Sequence, residues 1–411
     1  MNVPQARCWR SGTVIVLSAI MVLGTGCDIA DTLTHSAPGS GGSSQGQVST
    51  PAEPTTSAAP PPSWPETFRS LRPGVARVSV TGCDFASVGS GFQVDDTHIV
   101  TAAHVVEGVA GITVGINGQV VTATIQGMNK AEDVALLETA APITGHNFTF
   151  AVEDPPEGTS IGVLGFPQGE NFTAVTGAIS ALNVQNGPAF DGTGHILQTA
   201  AAINGGNSGG PVVSIDGNVV GIVRSTRTGV LANGQVYKQS FQGTNYVSSG
   251  ASAAKVVASW WQTPAPVSLA RCDNTGVATN NQITVKVETP DERGIQVAQS
   301  LLIHGQAINS GAYQMAYNIF TPLAQAEQHG YLEWSKDLDT SYWQRIDIAS
   351  IASTGDGSIV ANASLRTSQD PAQSVDGLQS CTVWHMKYTM EWSIAWWEIS
   401  NVDTTAPAEP C

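Results

Sequence analysis

The sequence predicts a mainly β protein: a double six-stranded β-barrel followed by an α+β domain. Three observations carry that prediction. From Phe68 to Gln242, short β-branched runs alternate with turn residues at spacings of about 10 residues, the texture of barrels and sandwiches. Charged residues are only 12%, and Gly (43) and Pro (22) are frequent enough to punctuate many short strands. After Trp261 the character changes: aromatic residues concentrate, and helical patterning is followed by consecutive strands.

The first segment, 1–26, is a targeting sequence. Arg7 and Arg10 form a basic region, and Thr13 to Leu23 form an apolar run too short to cross a bilayer, which needs about 20 residues. It ends in Leu23-Gly24-Thr25-Gly26-Cys27, which resembles a bacterial lipobox with Gly24 where a branched residue or Leu is usual. The resemblance implies lipidation of Cys27 and anchoring at the outer face of the cytoplasmic membrane. Ordinary cleavage and full secretion is the alternative. Residues 27–66 then form a stalk: within 36–63, 24 of 28 residues are Gly, Ser, Pro, Ala or Thr. Such a stretch buries too little apolar surface to offset its ordering entropy.

Within 67–262, two six-strand sets follow. The first is Val75–Val80, Ser87–Val94, His98–Ala102, Ile112–Ile116, Gln119–Ile125 and Val134–Glu138. The second is Ser160–Gly165, Phe172–Leu182, Ile196–Ala200, Pro211–Ile215, Asn218–Arg224 and Gln235–Gln242. A closing helix spans Ala251–Trp261. In the last domain, 271–411, a helical stretch from Ala312 to about Ala326 precedes strands at Arg345–Ala352, Ile359–Thr367, Cys381–Met390 and Ser393–Ser400, an order that suggests an antiparallel sheet.

Loss of the leader removes Cys8, and lipidation would use Cys27. Cys83, Cys272, Cys381 and Cys411 remain, enough for two disulfides in three connectivities, of which Cys83–Cys272 with Cys381–Cys411 is favoured. No CxxC or His/Cys cluster suggests a metal, and no cofactor is expected. Net charge is −16. That argues against nucleic acid as a partner, because phosphate-binding surfaces cluster Lys and Arg.

Three segments carry candidate chemistry. Gly205-Gly206-Asn207-Ser208-Gly209-Gly210-Pro211 puts a hydroxyl on a tight glycine turn whose amides stay open to a developing oxyanion. Thr101-Ala102-Ala103-His104-Val105 delivers an imidazole at a strand end, and Glu132-Asp133-Val134 starts an apolar strand with a carboxylate at its rim. Each alone has a bland reading as turn or strand-end residue. Together they run His, Asp, Ser with gaps of 29 and 75 residues.

On those residues, the region from about 68 to 258 resembles the trypsin-like serine proteases of chymotrypsin fold, and more closely their HtrA/DegP branch. Gly89-Ser90-Gly91-Phe92, Gly162-Val163-Leu164-Gly165-Phe166-Pro167-Gln168-Gly169, Thr176-Gly177-Ala178-Ile179-Ser180-Ala181 and Gln198-Thr199-Ala200-Ala201-Ala202-Ile203-Asn204 are similar to that branch's strands and loops. The resemblance implies a triad of His104, Asp133 and Ser208, with the backbone N–H groups of Gly206 and Ser208 as oxyanion hole. It places Ala202 at the base of the primary substrate pocket. Ser225 and Thr226, after the strand Val219–Arg224, form a wall of that pocket. With no Asp at Ala202, cleavage after small or medium apolar residues is expected. Arg224 and Arg227 are expected to be solvated. No PDZ signature follows, so PDZ control is not expected. The stretch Ala307 to Pro322 resembles the NTF2-like fold, a curved sheet over helices and a shape able to enclose an apolar cavity; the Trp and Tyr residues of this domain read as core packing, with a ligand pocket or partner surface as the alternative. The reading is an endopeptidase of exported or envelope proteins. The rival is a latent protease-fold binding module whose C-terminal domain does the recognising.

Overall fold

The computed structural model describes residues 62–184, 194–230, 236–272, 282–336, 338–374 and 377–411, with backbone alone at 225–230, 236–242 and 373. The leader, Cys27 and most of the stalk lie outside them. Helix α1 (Trp64–Leu71) takes up the last three residues assigned to the stalk. The apolar side of α1 explains this: Trp64 and Phe68 stack at 5.2 Å against Gly162, and Thr67 donates to Ile215 O at 2.8 Å.

The two barrels are present. β1 (Val75–Thr81), β2 (Ala86–Asp95), β3 (His98–Thr101), β4 (Gly111–Ile116), β5 (Gln119–Asn129) and β6 (Val134–Thr139) close in the order β1-β2-β3-β6-β5-β4. The helical turn α2 (Ala103–Val106) follows β3. The second barrel comprises β7 (Ser160–Gly165), β8 (Thr173–Ala181), β9 (Ile196–Thr199), β10 (Pro211–Val213), β11 (Val219–Val230) and β12 (Val236–Ser249), in the order β10-β11-β12-β9-β8-β7. Full closure removes the exposed strand edges that invite aggregation. A third cluster, with Phe92, Val100, Leu136, Leu164, Ile222 and Trp260, packs between the barrels beneath α3 (Gly250–Gln262).

One strand expectation needs correction. The last barrel strand does not end at Gln242. The part of β12 that pairs with β9 is Asn245–Ser248. Its Gly, Asn and Ser content reads as turn, but Tyr246 and Val247 are buried there and tertiary packing overrides local propensity.

The C-terminal unit carries a five-stranded sheet, β13 (Thr284–Val287), β14 (Tyr342–Ser353), β15 (Ile359–Ser368), β16 (Cys381–Ser393) and β17 (Trp396–Pro410), in sequential order. β13 runs parallel to β14, so the sheet is not purely antiparallel as expected. The helical stretch expected over 312–326 is two short helices, α5 (Tyr313–Tyr317) and α6 (Pro322–Glu327). Pro322 cannot continue a helix but suits the first turn of a new one, and Thr321 caps that turn through Ala324 N–H. α7 (Tyr331–Trp334) follows.

The longest helix of this unit, α4 (Arg293–Asn309), buries 14 of its 17 residues. One side packs on the sheet core through Val297, Leu301 and Ile308. The other covers the first barrel, where Gln299 donates to Arg77 O at 3.0 Å. β1 alternates apolar and polar residues, yet all seven are buried, because α4 roofs the face that the alternation would leave wet.

Two disulfides join the chain, Cys83–Cys272 and Cys381–Cys411. The first closes a loop of 189 residues, long enough that its removal is expected to cost roughly 3–5 kcal/mol through the unfolded state. The C83S/C272S variant measured by urea denaturation checks this.

In α4, burial pushes the His304 imidazole down to about 4. The unfolded chain binds that proton near pH 6.5. The folded state therefore loses up to about 3 kcal/mol of stability as pH falls from about 6.5 toward 4, and is unaffected above that window. H304F should flatten this dependence in denaturant titrations followed by tryptophan fluorescence.

Candidate active site

β3 runs buried to Thr101, and α2 then lifts His104 into the open, its side chain 45% exposed. Asp133 precedes β6 at φ +53, a left-handed conformation that Asp tolerates better than bulky residues. Its carboxylate is 6% exposed and grips His104 from two sides. Oδ2 lies 2.8 Å and Oδ1 3.0 Å from Nδ1, and Oδ1 also accepts the His104 backbone N–H at 3.0 Å. A carboxylate only accepts, so Nδ1 carries the proton and Nε2 the lone pair, the arrangement a general base needs.

Asp133 is held from both barrels. Asn129 Oδ1 accepts the Glu132 N–H at 3.0 Å on the near side. From the second barrel, His195 Nδ1 and backbone N–H reach Glu132 at 2.9 and 3.0 Å. Arg224, on β11, donates to Ala131 O at 3.1 Å and sets Nε 3.8 Å from Asp133 Oδ2. Its side chain is 10% exposed, so Arg224 is not solvated as expected; it places a positive group behind the acid. The Arg227 and Ser225 side chains lie outside the described residues.

Ser208 sits on the loop before β10, against β2, the strand that pairs with β3. Its C=O accepts from Ser90 N–H at 2.7 Å. Gly209 has φ +83, and a Cβ there would come within 2.2 Å of Thr101 Oγ1 and 2.7 Å of Ala102 N. Gly206 has φ +91, and a Cβ there would meet Phe166 O at 2.4 Å. These two positions require glycine for both conformation and space. Among the described residues, neither the N–H groups of Gly206 and Ser208 nor the Ser208 hydroxyl makes a hydrogen bond. The structure thus joins His104 and Asp133 directly and sets Ser208 beside the backbone that carries His104.

Ser90 is, in the sequence, one letter of a family motif, and its role does not show there. Its Oγ accepts Phe166 N–H at 2.9 Å and donates to Gly206 O at 2.7 Å, while its C=O accepts from Thr101 Oγ1 at 2.7 Å. A buried-strand serine flanked by two glycines, Gly89-Ser90-Gly91, is the signal that could have found it. Ala202, after β9, is exposed, and the preceding Ala201 O is held by Asn245 Nδ2 at 2.7 Å.

The C-terminal unit reaches this site through the loop after β7. Gln168 N–H donates to Gly205 O at 2.6 Å. The adjoining Gly169 O accepts from Arg77 Nε at 3.1 Å, and Arg77 also donates to Ala395 O in the β16–β17 turn and to Gln299 on α4.

Residues 89–222, which span the His, Asp and Ser segments, match the trypsin-like peptidase domain family. That segment, which lies within the two closed barrels and contains the His–Asp pair, is thus similar to a trypsin-like peptidase domain. The curated relatives it matches include serine proteases described as DegP-like and as Do-like HtrA. A probable periplasmic serine endoprotease, DegP-like, of Halomonas elongata is 39% identical over 138 residues, 33% of this chain and 29% of that protein. Serine protease Rv3671c of Mycobacterium tuberculosis is 33% identical over 147 residues, 34% of this chain and 36% of that one. The match thus spans about a third of these relatives' length. The crystal structure of Rv3671c protease in its active form aligns over 54% of this chain and 99% of that chain, at 25% identity and a TM-score of 0.43.

Replacing Ser90 with Ala strands the Phe166 N–H and the Gly206 C=O. Each buried unpartnered group costs about 1–3 kcal/mol. S90A is expected to lower stability by roughly 2 kcal/mol or more, read from its urea midpoint.

Proposed function

We propose that this chain is a serine endopeptidase that cleaves exported or envelope proteins through an acyl-enzyme. The observation that carries the reading is the two-sided grip of Asp133 on His104, which leaves Nε2 as the nitrogen available to act as base. Ser208 Oγ attacks the scissile carbonyl as His104 Nε2 takes its proton. The imidazolium, stabilised by Asp133, protonates the leaving amine, and water then repeats the sequence to release the acid. The open N–H groups of Gly206 and Ser208 receive the oxyanion. The exposed Ala202 carries no acid to pair a basic side chain, which supports cleavage after small or medium apolar residues. The leader and Cys27 support a lipoprotein at the outer face of the membrane, and mass spectrometry of the mature N-terminus tests that assignment.

A fluorophosphonate probe tests the activity. It should label the wild type and not S208A, and peptide hydrolysis should fall on the order of 10⁴-fold in S208A and D133N. No labelling of the wild type would replace this reading with that of a binding module on a protease scaffold.

A further inference from the structure

Away from the Ser208 cleft, the C-terminal unit carries a cavity of about 400 Å³ that opens to the surface on one side. Helical residues wall one side and β14 to β17 the other. The wall is aromatic, with Phe320, Trp334, Trp343, Trp384 and Tyr388, and no Asp, Glu, Lys or Arg is among the described lining residues. Its volume falls within the range of small-molecule sites, about 300–1,000 Å³.

Two buried side chains at the cavity keep a polar atom that makes no hydrogen bond among the described residues: Tyr388, through its hydroxyl, and His304. His304, 6% exposed, projects from α4 and lines the space. Its Nδ1 lies 2.9 Å from Ala316 O, and a carbonyl only accepts, so the proton is on Nδ1. Nε2 is therefore a lone-pair acceptor, and it makes no hydrogen bond among the described residues. The ring is fixed edge-on against Phe320 at 5.4 Å and Trp343 at 5.3 Å. Part of the remaining polar wall is internally occupied: Trp384 Nε1 donates to Thr367 Oγ1 at 2.9 Å, and Gln369 Nε2 donates to Thr382 Oγ1 at 2.6 Å.

We propose that this cavity is a binding site for a neutral aromatic molecule with one hydroxyl or N–H donor, of phenol or indole type, whose donor is received by His304 Nε2. The aromatic wall offers edge and face contacts to a ring. A charged ligand would lose its hydration with no countercharge to receive it. Burial keeps His304 neutral at ordinary pH, so the acceptor is available. A purely apolar ligand would leave the imidazole nitrogen buried without a partner, which selects for a donor.

The test compares 2-naphthol with 2-methoxynaphthalene, the same ring system without the donor. Each is titrated into the full chain, with quenching of tryptophan fluorescence as readout. The expected result is saturable one-to-one binding with 2-naphthol at least about tenfold tighter. In H304F that preference should vanish while binding of the ether persists. In M386W, which fills the cavity from a half-buried wall position, both should bind at least about tenfold more weakly. Absence of saturable binding to the wild type, no preference for the donor, a preference retained in H304F, or full binding by M386W would each overturn the proposal. Should H304F fail to fold by near-UV circular dichroism, the wild-type preference and the M386W titration decide between the two outcomes. The assay needs no peptidase activity, so its outcome and that of the fluorophosphonate test are independent.

Discussion

The arrangement of the cleft depends on Ser90. Every polar atom of this residue is committed: its N–H to Ser208 O, its C=O to Thr101, and its hydroxyl to both Phe166 N–H and Gly206 O. Thr101 leads to His104, Phe166 opens the loop after β7, and Gly206 and Ser208 belong to the nucleophile loop. One buried residue of the first barrel thus positions three segments through its backbone and side chain, two of them from the second barrel. A glycine-rich loop has much backbone freedom to lose on ordering. These contacts, with the glycine conformations at Gly206 and Gly209, are what hold it in one shape.

Asp133 shows the same division of labour from the other side. Its left-handed backbone stores a local cost. That cost is offset where the second barrel holds the segment through His195 and Arg224. The acid is therefore presented correctly only when both barrels are docked, which makes the pair a product of the interface and not of either barrel.

The C-terminal unit is built onto the first barrel and does not merely follow it. Arg77 is 2% exposed, and burial lowers its guanidinium to about 10, still charged at neutral pH. Among the described residues no carboxylate pairs with it. Its donors go instead to Ser79, Gln299, Gly169 O and Ala395 O. A buried charge tolerates such a place only when its donors are satisfied. β1, α4, the β16–β17 turn and the loop after β7 therefore hold their positions together. Through Gln168 and Gly205 that loop is continuous with the nucleophile segment.

Much of this is legible in the chain itself. The twelve barrel strands, the closing helix and four of the five later strands can be read there, because a sheet facing a core imposes a period of two on local sequence. The residue types and order of the His, Asp and Ser segments are legible because each needs its own strand or turn context. What escapes has no local signature. The Asn245–Ser249 stretch reads as turn, β13 is a short parallel edge, and the polar face of β1 reads as wet although α4 covers it.

The two-barrel class and the candidate chemistry are readable from the chain alone, since periodicity and backbone sterics act within a few residues. It took folding to make Ser90 tie the loops together, to leave room for nothing larger than glycine at 206 and 209, to set Arg224 behind the acid instead of in solvent, and to turn an imidazole nitrogen toward an aromatic cavity. Those facts arise from contacts between residues far apart in the chain, and burial and hydrogen-bond partners exist only once the segments have met.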